Sequence, residues 1–332
     1  MNPKPVFSRR QAIQALAGAG ALCSMRVMAQ AAYPSRPITW VVPYAPGAAT
    51  DVMTRRLAQD IAADLGQPIA VENMPGGATV SAASQLARAR PDGYRFMTAD
   101  SATLALNPAL MEKLPYDPRT SFSYLGMFAR FPLFLVVHKD LPVKSVSELI
   151  DYIKQRNGEA TYASAGMGSP HHLAMELLLE GISARMVHVP YNGAGAALTD
   201  LIAGRTGLMF SSLGTIVPHL KSGALRVIAV SGSERSSTQA DVPTVAEGDA
   251  RLKGFEVYAW QGVVAPAGLP DEVRTRFSAS LQKVAASEAV KKRFLELGIE
   301  AVADSPAAFE RYASIEARKW AELVKSRGIK RE

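Results

Sequence analysis

The sequence predicts an α/β protein of two lobes, each a mostly parallel sheet flanked by helices, with a double-strand hinge and one cleft between them. Three observations carry this expectation. The 332 residues suffice for two domains with substantial cores, and 48% hydrophobic with 20% charged residues is an ordinary globular balance. From Tyr33 onward short β-branched runs alternate with longer helical periods, the pattern of parallel strands joined by covering helices. Two strand-like crossings, near residues 131–137 and 255–265, separate two such α/β sets.

Each element follows from its residues. Ile38-Thr39-Trp40-Val41-Val42 reads as a buried strand. Thr50 is placed as the N-cap of the next helix, along which Met53, Leu57, Ile61 and Leu65 recur every four residues until Gly66. Residues 69–72 form the next strand and 80–89 the next helix, and Pro91-Asp92-Gly93 turns the chain into a strand at 94–97. Residues 101–130, with Pro108, Pro115 and Pro118, show no long period. The second set opens with a strand at 134–137 and a helix announced by the capping-box spacing of Ser145 and Glu148. A strand near Thr161, a helix at 170–180, a strand at 186–189, a helix at 194–203, a strand at 208–210, a helix at 215–221 and a strand at 226–230 follow. Residues 257–265 are a further apolar strand. Ser305-Pro306 then caps a long amphipathic helix, with Phe309, Tyr312, Ile315, Trp320 and Leu323 inward and Gly328 closing it. The lobes are accordingly 33–133 plus 257–332, and 134–256.

The first 31 residues read as a secretory signal. Lys4, Arg9 and Arg10 form a positive region, Ala12 to Cys23 is an uncharged apolar run, and small-x-small sites end at Ala29 and Ala31. A buried N-terminal helix is the alternative, but it would carry Gly18-Ala19-Gly20 and no polar face. Ser8-Arg9-Arg10 also resembles the start of a twin-arginine signal, from which Gln11-Ala12-Ile13 departs, so the export route stays open. Cleavage near residue 29 or 31 removes the single cysteine, Cys23, and with it any disulfide or thiolate metal site. It also removes four basic and no acidic side chains, so the net charge falls from +7 to +3. That suits an anionic small molecule. No basic cluster with interleaved aromatics points to nucleic acid.

Glycine-rich loops recur after strands, where doubly wound sheets bind ligands. They span Pro43 to Asp51, Pro75 to Thr79, Ser164 to His172, and Tyr191 to Gly195. Three lead into helices, whose free N–H groups and dipole make an anion site. Each loop taken alone is equally a tight turn with an N-cap; four at strand ends point to a cleft. Enzyme signatures are missing: Gly166-Met167-Gly168 lacks a third glycine or alanine at position 171, and no phosphate loop, His-Glu-x-x-His or nucleophile elbow occurs. His171, His172 and His188 have no acidic or sulfur partner at metal-binding spacing, so no metal and no cofactor is expected. His172 is read as lining the cleft or bonding a loop; Tyr44, Tyr191 and Trp260 are cleft-wall or core residues.

At these residues the sequence resembles the Bug family, the TctC-like receptors of tripartite tricarboxylate transport systems. The resemblance runs from Tyr33-Pro34-Ser35-Arg36-Pro37-Ile38 and Val41-Val42-Pro43-Tyr44-Ala45-Pro46-Gly47 with Thr50-Asp51, through Val71-Glu72-Asn73 and Pro91-Asp92-Gly93-Tyr94. It continues with Asn107-Pro108-Ala109-Leu110, Leu114-Pro115-Tyr116-Asp117-Pro118 and Leu141-Pro142-Val143-Lys144-Ser145. It reaches Tyr162-Ala163-Ser164-Ala165-Gly166, His188-Val189-Pro190-Tyr191, Asp241-Val242-Pro243-Thr244 and Ala265-Pro266-Ala267-Gly268. The resemblance implies a two-lobed periplasmic binding protein of type II-like architecture. Such a receptor closes on an organic carboxylate, works as a monomer and delivers the ligand to a membrane permease.

It further implies that the loops at Tyr44–Thr50, Pro75–Ala78 and Ser164–Ser169 hold one ligand carboxylate. The candidate binding residues are thus Tyr44, Ala45, Gly47, Ala48, Ala49, Thr50, Pro75, Gly76, Gly77, Ala78, Ser101, Ser164, Gly166, Gly168, Ser169, His172, Tyr191, Ser211 and Ser212. Two departures bear on the ligand. Ala48-Ala49 stands where relatives carry consecutive glycines, which narrows the pocket. Ser211-Ser212 stands where amino-acid binders carry an aspartate, which argues for a plain di- or tricarboxylic or aromatic acid over an α-ammonium ligand. An α/β enzyme acting on a carboxylated metabolite and a receptor signalling to a sensor kinase are the rival expectations.

Overall fold

A computed structural model of the chain describes residues 33–329; the signal-peptide reading and Cys23 lie outside them. The first lobe runs β1 (Ile38–Val42), α1 (Ala49–Leu65), β2 (Ile69–Asn73), α2 (Val80–Ala87) and β3 (Arg95–Asp100). A π-helical stretch (Ala102–Leu106) leads into α3 (Asn107–Leu110) and the long strand β4 (Phe122–Pro132). The chain then builds a second sheet: β5 (Phe134–His138), α4 (Val146–Gln155), β6 (Thr161–Ser164), α5 (Pro170–Gly181), β7 (Val187–Pro190), α6 (Ala194–Ile202), β8 (Leu208–Ser211), α7 (Leu213–Lys221), β9 (Leu225–Val230) and the short α8 (Val245–Gly248). It returns to the first sheet with β10 (Tyr258–Pro266), α9 (Asp271–Ala285), α10 (Glu288–Glu296), β11 (Glu300–Ala301) and α11 (Pro306–Arg327).

The strand orders are β11-β4-β10-β3-β1-β2 and β7-β6-β8-β5-β9. Pairing is parallel within β1, β2 and β3 and within β6, β7 and β8. The strands nearest the crossings pair antiparallel, β10 with β3 and β4, and β5 with β8 and β9. Each sheet is therefore mixed, with a parallel half. Parallel neighbours need a crossover helix between them, which the βαβ stretches supply and the crossings do not. One consequence positions the site. The C-terminal ends of β1, β2 and β3 share one sheet edge, and those of β6, β7 and β8 share another.

The core explains which residues the helices present. Met53, Leu57 and Ile61 of α1 are fully buried and Leu65 nearly so, each such side chain contributing about 1.5–3 kcal/mol. Trp40 stands edge-on to Phe277 of α9 at 5.9 Å and donates its indole N–H to Thr98 Oγ1 at 3.0 Å. Trp260 is fully buried against Phe309 and Tyr312 of α11. Its place is the core, not the cleft wall.

Several expectations change. Thr50 is not the N-cap of α1; Ala48 is, and Thr50 lies inside the first turn, buried, accepting the Gln261 amide at 2.6 Å. The stretch 101–130, read as having no long period, contains most of the 11-residue strand β4, which runs on to Pro132 into the expected crossing and whose almost continuous burial erases the alternation a strand usually shows. Between Pro266 and Ser305, where the sequence suggested no element, lie α9 and α10. Ile315 is 50% exposed; it lies off the stripe of Phe309, Ala313, Glu316, Trp320 and Leu323 that α11 buries. Glu316 takes the inward position because its carboxylate accepts from Trp320 Nε1 at 3.0 Å and pairs with Lys319.

The crossings converge on Ser231, which follows β9. Its Oγ accepts the Leu133 N–H at 2.8 Å and donates to the Val257 carbonyl at 2.5 Å. Its own N–H reaches Leu133 O, and its carbonyl takes the Val257 N–H, both at 2.8 Å. Leu133 links β4 to β5 and Val257 immediately precedes β10. One buried residue thus ties both passages together.

Candidate functional site

The first lobe gathers three loops at one edge. The loop after β1 exposes Ala45, Gly47 and Ala49, with Tyr44 and Ala48 half-buried. Its shape comes from Asp51: the carboxylate accepts the Gly47 N–H at 2.9 Å, Arg55 Nε at 3.0 Å and Asn73 Nδ2 at 2.8 Å. Asn73 also donates to Tyr44 O at 3.0 Å, tying the loop to the end of β2. Burial raises the Asp51 pKa, but the hydrogen bonds from Arg55, Gly47 and Asn73 outweigh it and leave it lowered.

The loop after β2 is held in rare backbone geometry. Gly76, Gly77, Ala78 and Thr79 all have positive φ, at 130°, 56°, 50° and 75°. For β-branched Thr79 this costs about 1–3 kcal/mol, offset only by local contacts. Asn107 Nδ2 donates to Ala78 O at 2.8 Å, and the Thr79 and Thr103 hydroxyl oxygens pair at 2.9 Å. Pro75, Gly76 and Gly77 are exposed and Ala78 half-buried.

The end of β3 supplies Asp100 and Ser101, both buried. Asp100 accepts the Thr103 N–H and hydroxyl at 2.9 and 2.8 Å, and its other oxygen takes the Tyr44 hydroxyl. Burial raises the Asp100 pKa, and burial with this neighbouring carboxylate pushes that of Tyr44 well up. Asp100 was not singled out from the sequence. The only signal was a carboxylate closing a buried strand, and nothing local pairs it with a tyrosine 56 positions away.

The second lobe presents the ends of β6, β7 and β8. Ser169 caps α5, accepting the His172 N–H at 3.3 Å, with Pro170 opening the helix. Gly166 and Gly168 have φ of 124° and 71°, and half-exposed Met167 stands between them. A side chain at Gly168 would meet Leu110 Cδ1 at 2.2 Å. Leu110 ends α3 of the first lobe, so that helix packs against this loop. Tyr191 donates its N–H to Ser164 O at 3.1 Å and its hydroxyl to Asp200 at 2.8 Å. Ser211 is fully buried with no partner for its Oγ among the described residues, while half-buried Ser212 bonds Thr215 at 2.7 Å.

Three site candidates support the loops from beneath. Thr50, Ser164 and His172 are buried. Ser164 Oγ bonds His188 Nε2 at 2.7 Å and accepts the Gly166 N–H at 3.1 Å. His172 Nδ1 accepts the Gly168 N–H at 3.0 Å, and its ring stacks on His188 at 3.9 Å. Burial lowers the pKa of His171 to about 4 and, with His188 and Arg327 nearby, that of His172 to about 3. These imidazoles are neutral. Among the described residues, no group of three His, Cys, Asp or Glu side chains is placed to hold a metal ion.

What the exposed rim offers is backbone. α1, α6 and α7 start at Ala48, Gly193 and Ser212 with no side-chain cap on their first-turn N–H groups. Such helix starts attract anions.

Comparison with known proteins agrees with this architecture. Residues 53–329 match the family model described as the tripartite tricarboxylate transporter family receptor. The chain is 33% identical to protein BugT of Bordetella pertussis over 90% of this chain and 91% of that one. It is 32% identical to a protein from the tcbD–tcbE intergenic region of Pseudomonas sp. strain P51, over 96% and 94%. A Rhodopseudomonas palustris protein solved with adipate superposes with a TM-score of 0.79 at 33% identity, covering 90% of this chain and 99% of that one. MatC from the same organism, with bound malate, gives 0.74 at 31% identity, over 88% and 100%. The chain belongs to the tripartite tricarboxylate transporter receptor family, whose two-lobed, mixed-sheet architecture it shares.

Proposed function

We propose that the protein is a periplasmic receptor that captures a small organic carboxylate between its lobes, hands it to a tripartite tricarboxylate-type permease and catalyses nothing. It acts as an exported monomer with its signal removed near residue 29 or 31, and its lobes are 33–133 plus 257–332, and 134–256. One observation carries the reading. Asp51 and Asp100 are buried and taken up in hydrogen bonds that shape the loops, and beyond them none of residues 43–50, 75–79, 101–106, 164–170, 190–195 and 211–215 is Lys, Arg, Asp or Glu. Loops at the ends of six parallel strands thus offer an anion backbone N–H groups, hydroxyls and uncapped helix starts, a set suited to holding a carboxylate and poor in acid–base chemistry. Adipate and malate in two relatives support the ligand class. A di- or tricarboxylate or an aromatic acid fits; Ser211-Ser212, with no carboxylate to meet an ammonium, disfavours an amino acid.

A thermal-shift panel of organic acids, adipate and malate included, tests this. An acid at one hundred times its dissociation constant contributes about 2.7 kcal/mol, a rise of a few degrees in a chain this size. A panel without any shift, or a stabilising acid that is chemically converted, overturns the proposal.

A further inference from the structure

We infer that Arg327, on the C-terminal helix of the first lobe, is a positioning residue for the ligand loop of the second, acting through Glu176, Tyr162 and His188. This rests on the reading of residues 164–169 as part of the binding site. α11 packs mainly on β4, the π-helical stretch and α3, yet its last turn reaches α5 of the other lobe. There Arg327 Nε donates to Glu176 Oε2 at 2.7 Å, and its terminal nitrogens reach Ala184 O at 3.3 and 3.4 Å. Both partners are largely buried, at 18% and 11% side-chain exposure, so this pair is less screened than a surface ion pair.

From Glu176 the connection runs straight to the loop. The other carboxylate oxygen accepts the Tyr162 hydroxyl at 2.6 Å. The Tyr162 ring stacks on His188 at 4.9 Å and 18°, and His188 stacks on His172 at 3.9 Å and 6°. Each imidazole then serves one end of the loop: His188 holds Ser164 Oγ, which takes the Gly166 N–H, and His172 Nδ1 takes the Gly168 N–H. Gly166 and Gly168 sit at positive φ, a geometry that glycine adopts without fixing it; the Gly166 carbonyl is further held by the Ser169 N–H at 3.1 Å, whereas the two amide N–H groups are held by these bonds. The stack therefore sets the direction of the loop amides, and the arginine fixes the stack from the opposite lobe. Loss of Arg327 leaves Glu176, among the described residues, as a buried carboxylate bonded to the tyrosine, free to draw Tyr162 off the histidines.

The test compares parent, Arg327→Gln and Arg327→Lys by amide hydrogen exchange and by titration with adipate. In Arg327→Gln the amides of Gly166 and Gly168 should exchange at least tenfold faster while those of β1 keep the parent rate; Arg327→Lys, which retains a cation for Glu176, should recover most of the protection. Unchanged exchange at both glycines overturns the inference, as does an equal acceleration throughout β1, which would mark global destabilisation. The exchange result stands whether or not adipate binds. Faster loop exchange with parent-like adipate affinity upholds the positioning role and removes the loop from the site; a parent that fails to bind adipate counts against that choice of acid alone.

Discussion

Replacing Ser231 by alanine should loosen both passages between the lobes at once. The substitution deletes an Oγ that serves the Leu133 N–H at 2.8 Å and the Val257 carbonyl at 2.5 Å in a fully buried position. The two backbone bonds of residue 231 survive, so the strands stay in register. Each group left unsatisfied costs about 1–3 kcal/mol, or about 2–6 kcal/mol for the pair, the lower end applying if water enters. In a chain of this size the melting temperature falls by ~2 °C per kcal/mol, so a drop of several degrees is expected. Urea unfolding followed by circular dichroism gives the free energy, and hydrogen exchange at Leu133 localises it. A loss below about 1 kcal/mol with unaltered Leu133 exchange would refute the account of Ser231 as the tie between the crossings.

Three further outcomes follow from the ligand loop and its support. Ser169→Asp keeps a competent helix cap, so stability should stay within about 1 kcal/mol of the parent. Its fixed charge about 4 Å from a bound carboxylate, at an effective dielectric near 20, opposes binding by about 4 kcal/mol, roughly a thousandfold in adipate affinity by calorimetry; unchanged affinity removes the loop from the site. Gly168→Ala places a methyl group 2.2 Å from Leu110 Cδ1 at a φ of 71°, and should cost about 1–2 kcal/mol for the backbone plus a similar packing penalty, read from urea melts. Finally, stability should fall on acidification. The pKa of His172 drops to about 3 on folding, so below its unfolded value near 6.5 the unfolded chain binds a proton that the folded chain refuses. The stability is complete above about pH 6.5 and is lost progressively toward pH 3, about 2 kcal/mol from this residue between pH 7 and 5. His172→Gln should flatten that part of a melting-temperature profile; an equally steep profile in the variant would assign the loss elsewhere.

Much of the site was legible as loops and little of it as bonds. Ser169-Pro170 is a local signal, because a cap and its helix start lie within four residues, and the structure places Ser169 as expected. Asp51 and Asp100 have local partners in Gly47, Arg55 and Thr103, but the bonds that tie the loops together, Asn73 to Asp51 and Tyr44 to Asp100, join residues 22 and 56 positions apart. His172 and Ser164 read equally well as cleft residues until their burial beneath the loop was known.

The sequence by itself determined the alternation of strands and helices, the caps at Ser145, Ser169 and Ser305, the glycine closures at Gly66 and Gly328, and the family. These depend on periodicity and on backbone preferences that act within a few residues. Tertiary structure decided which strands run antiparallel, that β4 exists, that Thr50 points to Gln261, and that Trp260 is core. It also decided that Arg327 reaches Glu176 across the lobes. Each of these is a contact between distant segments, where burial on all sides removes the polar–apolar alternation that a sequence can display.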